Sequence, residues 1–257
     1  MSLKDLTKLV KNLTEEKSTE EKFLYELNET MSRTPNEHKP SKFYKPSSIG
    51  GCKRNIYYQR IGVELEPEKQ DCNLVGICES GSNRHEDIQN WVTKMSKLGY
   101  KCEWVDVAEY LKAHPVDGTR VKEKRNMETK CFNDNLQMSF LCDGIIKFDG
   151  SYYILEIKTE VSYKFQGQVK PFEEHIEQAT CYSLCLGIDN IMFLYEDRNF
   201  CSKKTFLIPI TQDMKNVVVD TIFEIEANIE ANTTPTKSVN PKDCNYCLYK
   251  NRCHIDG

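Results

Sequence analysis

The chain of 257 residues lacks the long apolar segments that membrane spans and export signals require. Its longest apolar run, residues 191–195, is far shorter than the roughly 20 residues of a membrane-spanning helix. The chain also lacks an excess of positive charge, because its net charge is -4, and this argues against indiscriminate binding of polyanions. We therefore expect a soluble, cytoplasmic protein that does not associate with membranes.

Cysteine, in contrast, is abundant, with 12 residues in the chain. A small scaffold held together by disulfides is excluded, because a chain of this length can bury a sizeable core. Without an export signal we expect reduced thiols, some packed in the core and some able to bind metal.

The N-terminal part of the chain differs in composition from the rest. Residues 1–31 are rich in Lys and Glu and carry a sparse helical stripe of apolar residues, which predicts one or two amphipathic helices. Three prolines in residues 32–46 indicate a linker. We predict an N-terminal helical extension and linker over residues 1–38 and a main domain over residues 39–257.

Beyond the linker, hydrophobic periodicity predicts a mixed α/β order of elements. The predicted helices cover residues 74–95, 172–186 and 213–231, and the predicted strands cover residues 101–107, 137–148, 152–158, 191–195 and 205–210. In the first helix, His85 lies on an apolar stripe that we expect to be buried. That stripe consists of Leu74, Ile77, Cys78, Gly81, Ile88, Val92 and Met95.

Residues 39–60, here called the basic aromatic segment, contain six Lys or Arg residues and no acidic residue. Four aromatic residues are interleaved with these cations, namely Phe43, Tyr44, Tyr57 and Tyr58. Cations and stacking faces suit the backbone and the bases of a nucleic acid. A solvated loop that leads into an ordinary amphipathic helix explains the same composition, and the sequence does not decide between the two.

Asp149 and Gly150 stand between two apolar runs and predict a β-hairpin with a two-residue turn. Counting outward from this turn places Asp143 opposite Glu156, and Lys158 on the same face of the sheet. Most neighbouring positions on both faces are apolar, so the two carboxylates lie in a largely covered sheet where their repulsion is costly. A bound divalent cation removes that conflict. The alternative is an edge hairpin with ordinary surface charges, and the opposed acids favour the metal site.

These residues belong to a series of motifs, which runs Ser47-Ser48-Ile49-Gly50-Gly51-Cys52, Gly81-x-x-x-His85, Asp143, Glu156-Ile157-Lys158 and Gln178-x-x-x-Tyr182, followed by a C-terminal cysteine cluster. In this order the chain resembles the PD-(D/E)XK nuclease superfamily. Within it, the chain resembles the RecB-like branch that includes CRISPR-associated RecB-like exonucleases and the AddB nuclease domain. The resemblance covers roughly residues 47–253, and one departure is Cys142, which stands where the superfamily often has proline.

The resemblance implies a restriction-endonuclease-like core, with a central mixed sheet flanked by helices and a C-terminal iron-sulfur clasp. It implies His85, Asp143, Glu156 and the backbone carbonyl of Ile157 as metal ligands, and Lys158 as the group that orients or deprotonates the attacking water. Oxygen ligands suit Mg²⁺ or Mn²⁺, and the imidazole favours Mn²⁺. A lone histidine on an apolar stripe is more often a core residue, but Gly81 and the acid pair favour a ligand here.

Two further residues lie on one stripe of the predicted helix over residues 172–186. Gln178 and Tyr182 share this stripe with His175. A polar outer face is the alternative explanation of this spacing, whereas the resemblance implies that Gln178 and Tyr182 lie beside the active site, contact DNA and support the lysine.

The C-terminal cysteines Cys244, Cys247 and Cys253 have metal-binding spacing and need a fourth ligand. Zinc could take His254. The resemblance implies instead that Cys52 is the fourth ligand and that the four thiolates hold a 4Fe-4S cluster. The remaining cysteines have no such spacing and are predicted to be core residues; they are Cys72, Cys78, Cys102, Cys131, Cys142, Cys181, Cys185 and Cys201.

The sequence thus predicts a Mg²⁺- or Mn²⁺-dependent DNA nuclease, in particular an exonuclease that acts on single strands or DNA ends. Helicases or other DNA-processing proteins are candidate partners, in CRISPR spacer processing, recombination and repair, or phage DNA metabolism. The alternative is a non-catalytic nucleic-acid-binding or assembly subunit with a structural zinc or iron-sulfur site.

Overall fold

A computed structural model of the chain describes residues 18–32, 41–65, 71–240, 242–245 and 247–256. The chain divides into two compact units, one of residues 1–37 and 66–80 and the other of residues 38–65 and 81–257. The predicted apolar stripe of residues 3–13, most of the predicted linker and Lys39 lie outside the described residues. The domain boundary after residue 38 stays a prediction.

The first unit contains helix α1, Thr19–Ser32, and the first turns of a longer helix that runs Cys72–Met95. This first unit contributes Leu74 and Ile77 to that longer helix, and both are exposed, as is Cys78. The expectation of a buried stripe along the whole helix is therefore wrong for its first turns. Sequence periodicity identified the helix correctly, but amphipathic spacing alone does not say where along a helix the partner surface begins.

The second unit holds the remaining elements. The Cys72–Met95 helix is α4, and its later turns belong to this unit. The other helices of the unit are α2 Pro46–Ile49, α3 Lys53–Arg60, α5 Val107–Ala113, α6 Ser162–Gly167, α7 Glu173–Leu186, α8 Gln212–Glu230, α9 Lys242–Asn245 and α10 Lys250–Ile255. A short 3₁₀ turn lies at Ser96–Leu98. Its strands are β1 Cys102–Val105, β2 Thr119–Arg125, β3 Glu128–Asn133, β4 Met138–Cys142, β5 Gly144–Phe148, β6 Ser151–Glu160, β7 Asn190–Asp197 and β8 Lys203–Pro209. No helix among the described residues is long and apolar enough to cross a membrane.

Two sheets are present in this unit. The larger has five strands in the order β1-β5-β6-β7-β8, and β6 and β7 run parallel while the other neighbours are antiparallel. The smaller is an antiparallel sheet in the order β2-β3-β4. The predicted α/β class with a central mixed sheet flanked by helices is confirmed.

The predicted hairpin joins β5 to β6 with the predicted register. Phe148 faces Ser151 and Ile146 faces Tyr153. Asp149 and Gly150 both have positive φ, at 47° and 86°, which is the conformation that a two-residue turn of this kind requires. The local sequence was therefore sufficient to set this register.

The predicted single strand over residues 137–148 is instead two strands, β4 and β5, in different sheets. The chain bends at Asp143, and the next residue, Gly144, sits against Trp104 so closely that a Cβ there would lie 2.2 Å from the indole. Because the chain bends here, the side chains change face. Phe140 and Cys142 pack in the main core with Ile145, whereas Ile146 packs in a separate cluster with Leu155 and Ile157. A single continuous strand over residues 137–148 would have placed Phe140, Cys142 and Ile146 on one face, and the structure shows that this is wrong.

Apolar side chains cover both faces of the five-stranded sheet. On one face Ile191, Phe193 and Tyr195 of β7 are fully buried in the main core, and on the other Ile88 of α4 packs with the β6 side chains. A parallel central strand that is covered on both faces is expected to read as a continuous apolar run. This coverage explains why residues 191–195 form the longest apolar run in the chain.

The predicted core cysteines are mostly buried. Five of the eight have no or almost no exposed surface, namely Cys102, Cys131, Cys142, Cys181 and Cys185. Cys78 and Cys201 are exposed and Cys72 is half-buried, so the prediction is wrong for these three.

Candidate active site and cysteine cluster

Asp143 lies at the bend where β4 of the small sheet passes into β5 of the large sheet. The β5–β6 pairing ends at Gly144 opposite Leu155, and continuing it by one residue places Asp143 opposite Glu156, as predicted. Its position is held from two sides. Asp143 Oδ2 accepts a hydrogen bond from the Ile157 backbone N–H at 2.7 Å, and the Gln89 side chain of α4 donates to the Asp143 carbonyl at 2.7 Å.

Glu156 is almost completely buried, with 1% of its surface exposed. Its Oε1 atom lies 2.7 Å from the Lys158 ammonium, while its buried Oε2 atom has no hydrogen-bond partner. Burial and the charge of Asp143 raise the pKa of Glu156 to about 7, against the opposing effect of Lys158. A buried carboxylate oxygen without a partner is costly, so this atom is positioned for a ligand.

His85 approaches the acids from α4. Its Nδ1 atom lies 3.5 Å from Asp143 Oδ1, and its side chain is 23% exposed. Burial works against the charged imidazole, but the Asp143 and Glu156 carboxylates together raise the pKa of His85. Gly81, one turn earlier, was expected to leave room. A Cβ at Gly81 would make only an ordinary 3.8 Å contact with Thr159, so glycine is not required there by space.

Glu128 is a third acid at this site, and sequence reasoning missed it. In the β3–β4 pairing Thr129 faces Cys142, so continuing the register by one residue places Glu128 opposite Asp143. One ligand atom each from His85, Glu128 and Asp143 lies within 4.8 Å of the others. The available signal was the Asn133-Asp134-Asn135 turn between alternating segments, which marks a second hairpin.

The structure brings Gln178 and Tyr182 of α7 to the lysine. The Lys158 ammonium donates to Gln178 Oε1 at 2.9 Å, and the Gln178 amide donates to the Tyr182 hydroxyl at 2.8 Å. Tyr182 is 4% exposed, so a polar outer face does not explain this stripe. His175 on the same helix is hydrogen-bonded instead to the Tyr195 hydroxyl at 2.7 Å.

The Ser47–Cys52 motif packs near the same helix. A Cβ at Gly50 would lie 2.0 Å from the Glu177 carboxylate and 3.3 Å from the Glu174 Cα of α7. Glycine at this position therefore permits the close approach of α2 to α7.

Cys52, Cys244, Cys247 and Cys253 line one cavity of about 450 Å³, together with His254. Two donors point at its sulfur atoms. The Asn55 amide lies 3.3 Å from Cys247 Sγ, and the Arg54 guanidinium lies 3.5 Å from Cys253 Sγ. Donors of this kind stabilise negative charge on sulfur. The structure thus brings together four cysteines that lie up to 201 residues apart in the chain.

The tyrosines of the basic aromatic segment are packed inside the protein and are not exposed for base stacking. Tyr44, Tyr57 and Tyr58 are buried, at 1%, 3% and 1% exposure, and Phe43 packs edge-on against Phe132 at 4.8 Å. The three tyrosine rings are therefore not available to bases, and the interpretation of the segment as a stacking track is wrong for them.

Three of the five described cations of the segment are also engaged within the protein. Arg54 is buried and donates to the Pro235 carbonyl at 2.7 Å. Lys53 pairs with Glu224, and Arg60 Nε donates to Glu226 at 3.0 Å. The positive charge of α3 therefore serves mainly to attach this helix to α8 and to the C-terminal segment.

No family model matches the chain. A curated protein, the CRISPR-associated exonuclease Cas4 of Francisella tularensis subsp. novicida (strain U112), is 21% identical over 208 residues, which cover 79% of this chain and 88% of that protein. The solved structure of SSO0001 matches with a TM-score of 0.49 and 14% identity over 90% of this chain and 95% of its own. The alkaline exonuclease LHK-Exo of Laribacter hongkongensis matches with a TM-score of 0.43 and 15% identity over 75% of this chain and 92% of its own.

The sequence similarity to a Cas4 exonuclease confirms the resemblance to the RecB-like branch of the PD-(D/E)XK nuclease superfamily. The convergence of Asp143, Glu156 and Lys158 agrees with it, because these three residues occupy the motif positions that carried the resemblance.

Proposed function

We propose that this protein is a metal-dependent DNA exonuclease that hydrolyses phosphodiester bonds in single strands or at DNA ends. The observation that carries the proposal is the buried pair of opposed carboxylates, Asp143 and Glu156, with Lys158 beside Glu156. The similarity to a protein named as an exonuclease supports the same activity.

The donor set fits a divalent cation. His85, Asp143, Glu156 and the carbonyl of Ile157 would hold it, and Glu156 offers a buried oxygen that has no other partner. Carboxylate and carbonyl oxygens suit Mg²⁺, and the imidazole favours Mn²⁺. When bound, such a cation lowers the pKa of water and stabilises the negative charge that develops on the phosphate.

The protein side chains supply positioning and proton transfer. Lys158 is held between Glu156 and Gln178, so its ammonium has a fixed place next to the acids. From there it would orient the attacking water and accept or donate a proton. Tyr182 fixes the Gln178 amide and hence the acceptor of the lysine.

The test uses end-labelled linear DNA, single- and double-stranded, together with circular single-stranded DNA. Purified protein is expected to shorten linear DNA from its ends with Mn²⁺ or Mg²⁺, to leave circles intact and to be inactive in EDTA. Glu156→Gln serves as the inactive control. If the protein bound DNA but cleaved it with neither Mn²⁺ nor Mg²⁺, the result would instead support the non-catalytic subunit.

We further propose that Cys52, Cys244, Cys247 and Cys253 hold one 4Fe-4S cluster, as a structural clasp. The common cavity and the donors from Arg54 and Asn55 support this proposal.

A further inference from the structure

Three carboxylates, not two, converge at the bend between the sheets. Continuing the two strand registers by one residue places Glu128 opposite Asp143 in the small sheet and Glu156 opposite Asp143 in the large sheet. The bend is therefore flanked by an acid on each side. Glu128 also brings a carboxylate oxygen within 4.8 Å of ligand atoms of both His85 and Asp143.

No residue in the described part of the chain forms a hydrogen bond or an ion pair with the Glu128 carboxylate. Arg125 stands opposite Glu128 in the β2–β3 ladder, but its guanidinium donates to Glu123 at 2.7 Å instead. Glu128 is half-buried, and one of its carboxylate oxygens lies within 4.8 Å of a ligand atom of Asp143. A half-buried acid placed against another acid without a cation lowers stability.

A second observation points to a ligand at the same place. Glu156 is 1% exposed and its Oε2 atom has no partner. Glu156 directly precedes Ile157, whose backbone N–H donates to Asp143 Oδ2 at 2.7 Å, so Glu156 and Asp143 are neighbours at this site. A cation within the cluster would satisfy the acids on both sides of Asp143.

We propose that Glu128 is a further ligand of the active-site divalent cation, supplied by the small sheet. This inference rests on the proposed function, because it adds a residue to the same metal centre. It assigns the small sheet a role in metal binding: β3 delivers one carboxylate, and Asp143 at the end of β4 delivers another. Cation binding would then join the two sheets at their junction.

The test measures Mn²⁺ binding to the full chain by isothermal titration calorimetry, in the absence of DNA. Glu128→Gln is expected to weaken binding roughly 10- to 100-fold, the range that follows the loss of a group supporting a metal centre. Glu103→Gln, which changes an exposed acid of β1, is the matched control and is expected to bind as the wild type does. Unchanged Mn²⁺ affinity in Glu128→Gln would overturn the inference.

Thermal unfolding in EDTA and in Mn²⁺ provides a second measurement that does not depend on activity. In EDTA, Glu128→Gln should unfold at the wild-type temperature or above it, because a repulsive charge is removed. Mn²⁺ should stabilise this variant less than the wild type, because a ligand stabilises the folded state according to its affinity. An equal gain in melting temperature for both proteins would contradict ligation by Glu128.

DNA cleavage by the same proteins separates this inference from the proposed function. Weakened Mn²⁺ binding in Glu128→Gln, with no DNA cleavage by the wild type, would support the ligand and refute the nuclease. Cleavage by the wild type with unchanged Mn²⁺ affinity in Glu128→Gln would support the nuclease and refute the ligand.

Discussion

Asp143 Oδ2 accepts a hydrogen bond from the Ile157 backbone N–H at 2.7 Å, so the acid at the bend is tied to the strand that carries Glu156 and Lys158. The Gln89 side chain holds the Asp143 carbonyl from the other side. These bonds fix the acids before any cation binds. Because an active site is most effective when its groups need no rearrangement, this arrangement suits electrostatic catalysis.

Glu156→Gln is expected to abolish cleavage without loss of stability. The amide keeps the shape of the side chain but removes a buried charge that has one unpartnered oxygen and a nearby acid. The free energy of unfolding in EDTA should therefore equal or exceed that of the wild type. Chemical denaturation and a cleavage assay check both points. Near-native turnover at saturating metal would show that the site is assigned wrongly.

Gln178→Ala should lower kcat more than it raises KM for DNA. Gln178 positions the Lys158 ammonium, and loss of a positioning contact costs on the order of 100-fold at most. Gln212→Ala, at the exposed start of α8, is the control for a glutamine lost elsewhere. A change confined to KM would indicate that Gln178 only binds DNA.

Substitution of Cys52, Cys244, Cys247 or Cys253 by Ala should remove the brown colour and the iron of anaerobically purified protein, and lower its stability. Cys201→Ala, at an exposed cysteine outside the cavity, should retain both. Glu156→Gln should also retain the colour, because the two sites are separate. About one zinc and no iron per chain would restore the zinc interpretation.

Within the basic aromatic segment, Lys42 and Arg54 are expected to behave differently. Arg54→Ala should destabilise the fold, because it removes the buried donor to the Pro235 carbonyl. Lys42→Ala, at an exposed cation, should leave stability unchanged. It should reduce the slope of log binding constant against log salt concentration by the amount that about one phosphate contact contributes. An unchanged salt slope would show that Lys42 is only solvated.

His175 should make stability fall as the pH decreases below about 6.5. Burial, with Lys158 and Lys164, lowers the pKa of His175 to about 3. The unfolded chain therefore binds a proton that the folded protein does not, and stability is lost by up to about 1.4 kcal/mol per pH unit. The raised pKa of Glu156 acts in the opposite direction, so the difference between wild type and His175→Gln is the quantity to measure. Parallel curves for the two proteins between pH 4.5 and 6.5 would contradict this prediction.

The convergence of Asp143, Glu156 and Lys158 was predictable from the sequence alone. A two-residue turn sets the hairpin register, and the period of two along a strand then determines which side chains share a face. Both are local properties. The predicted register is therefore correct even though the chain bends at Asp143 and the predicted single strand is two strands. The spacing of Cys244, Cys247 and Cys253 is also a local property of the sequence.

Only the tertiary structure decided the roles of Glu128, Tyr44 and Arg54. Glu128 reaches the acids through a second hairpin, β3–β4, and it comes next to them only because the chain bends at Asp143 and passes from the small sheet into the large one. Tyr44 is buried with its hydroxyl 2.7 Å from Glu226 of α8, and Arg54 is buried with its guanidinium 2.7 Å from the Pro235 carbonyl. Whether a cation or a ring faces solvent depends on which distant surface packs against it, and composition within one segment carries no information about that surface.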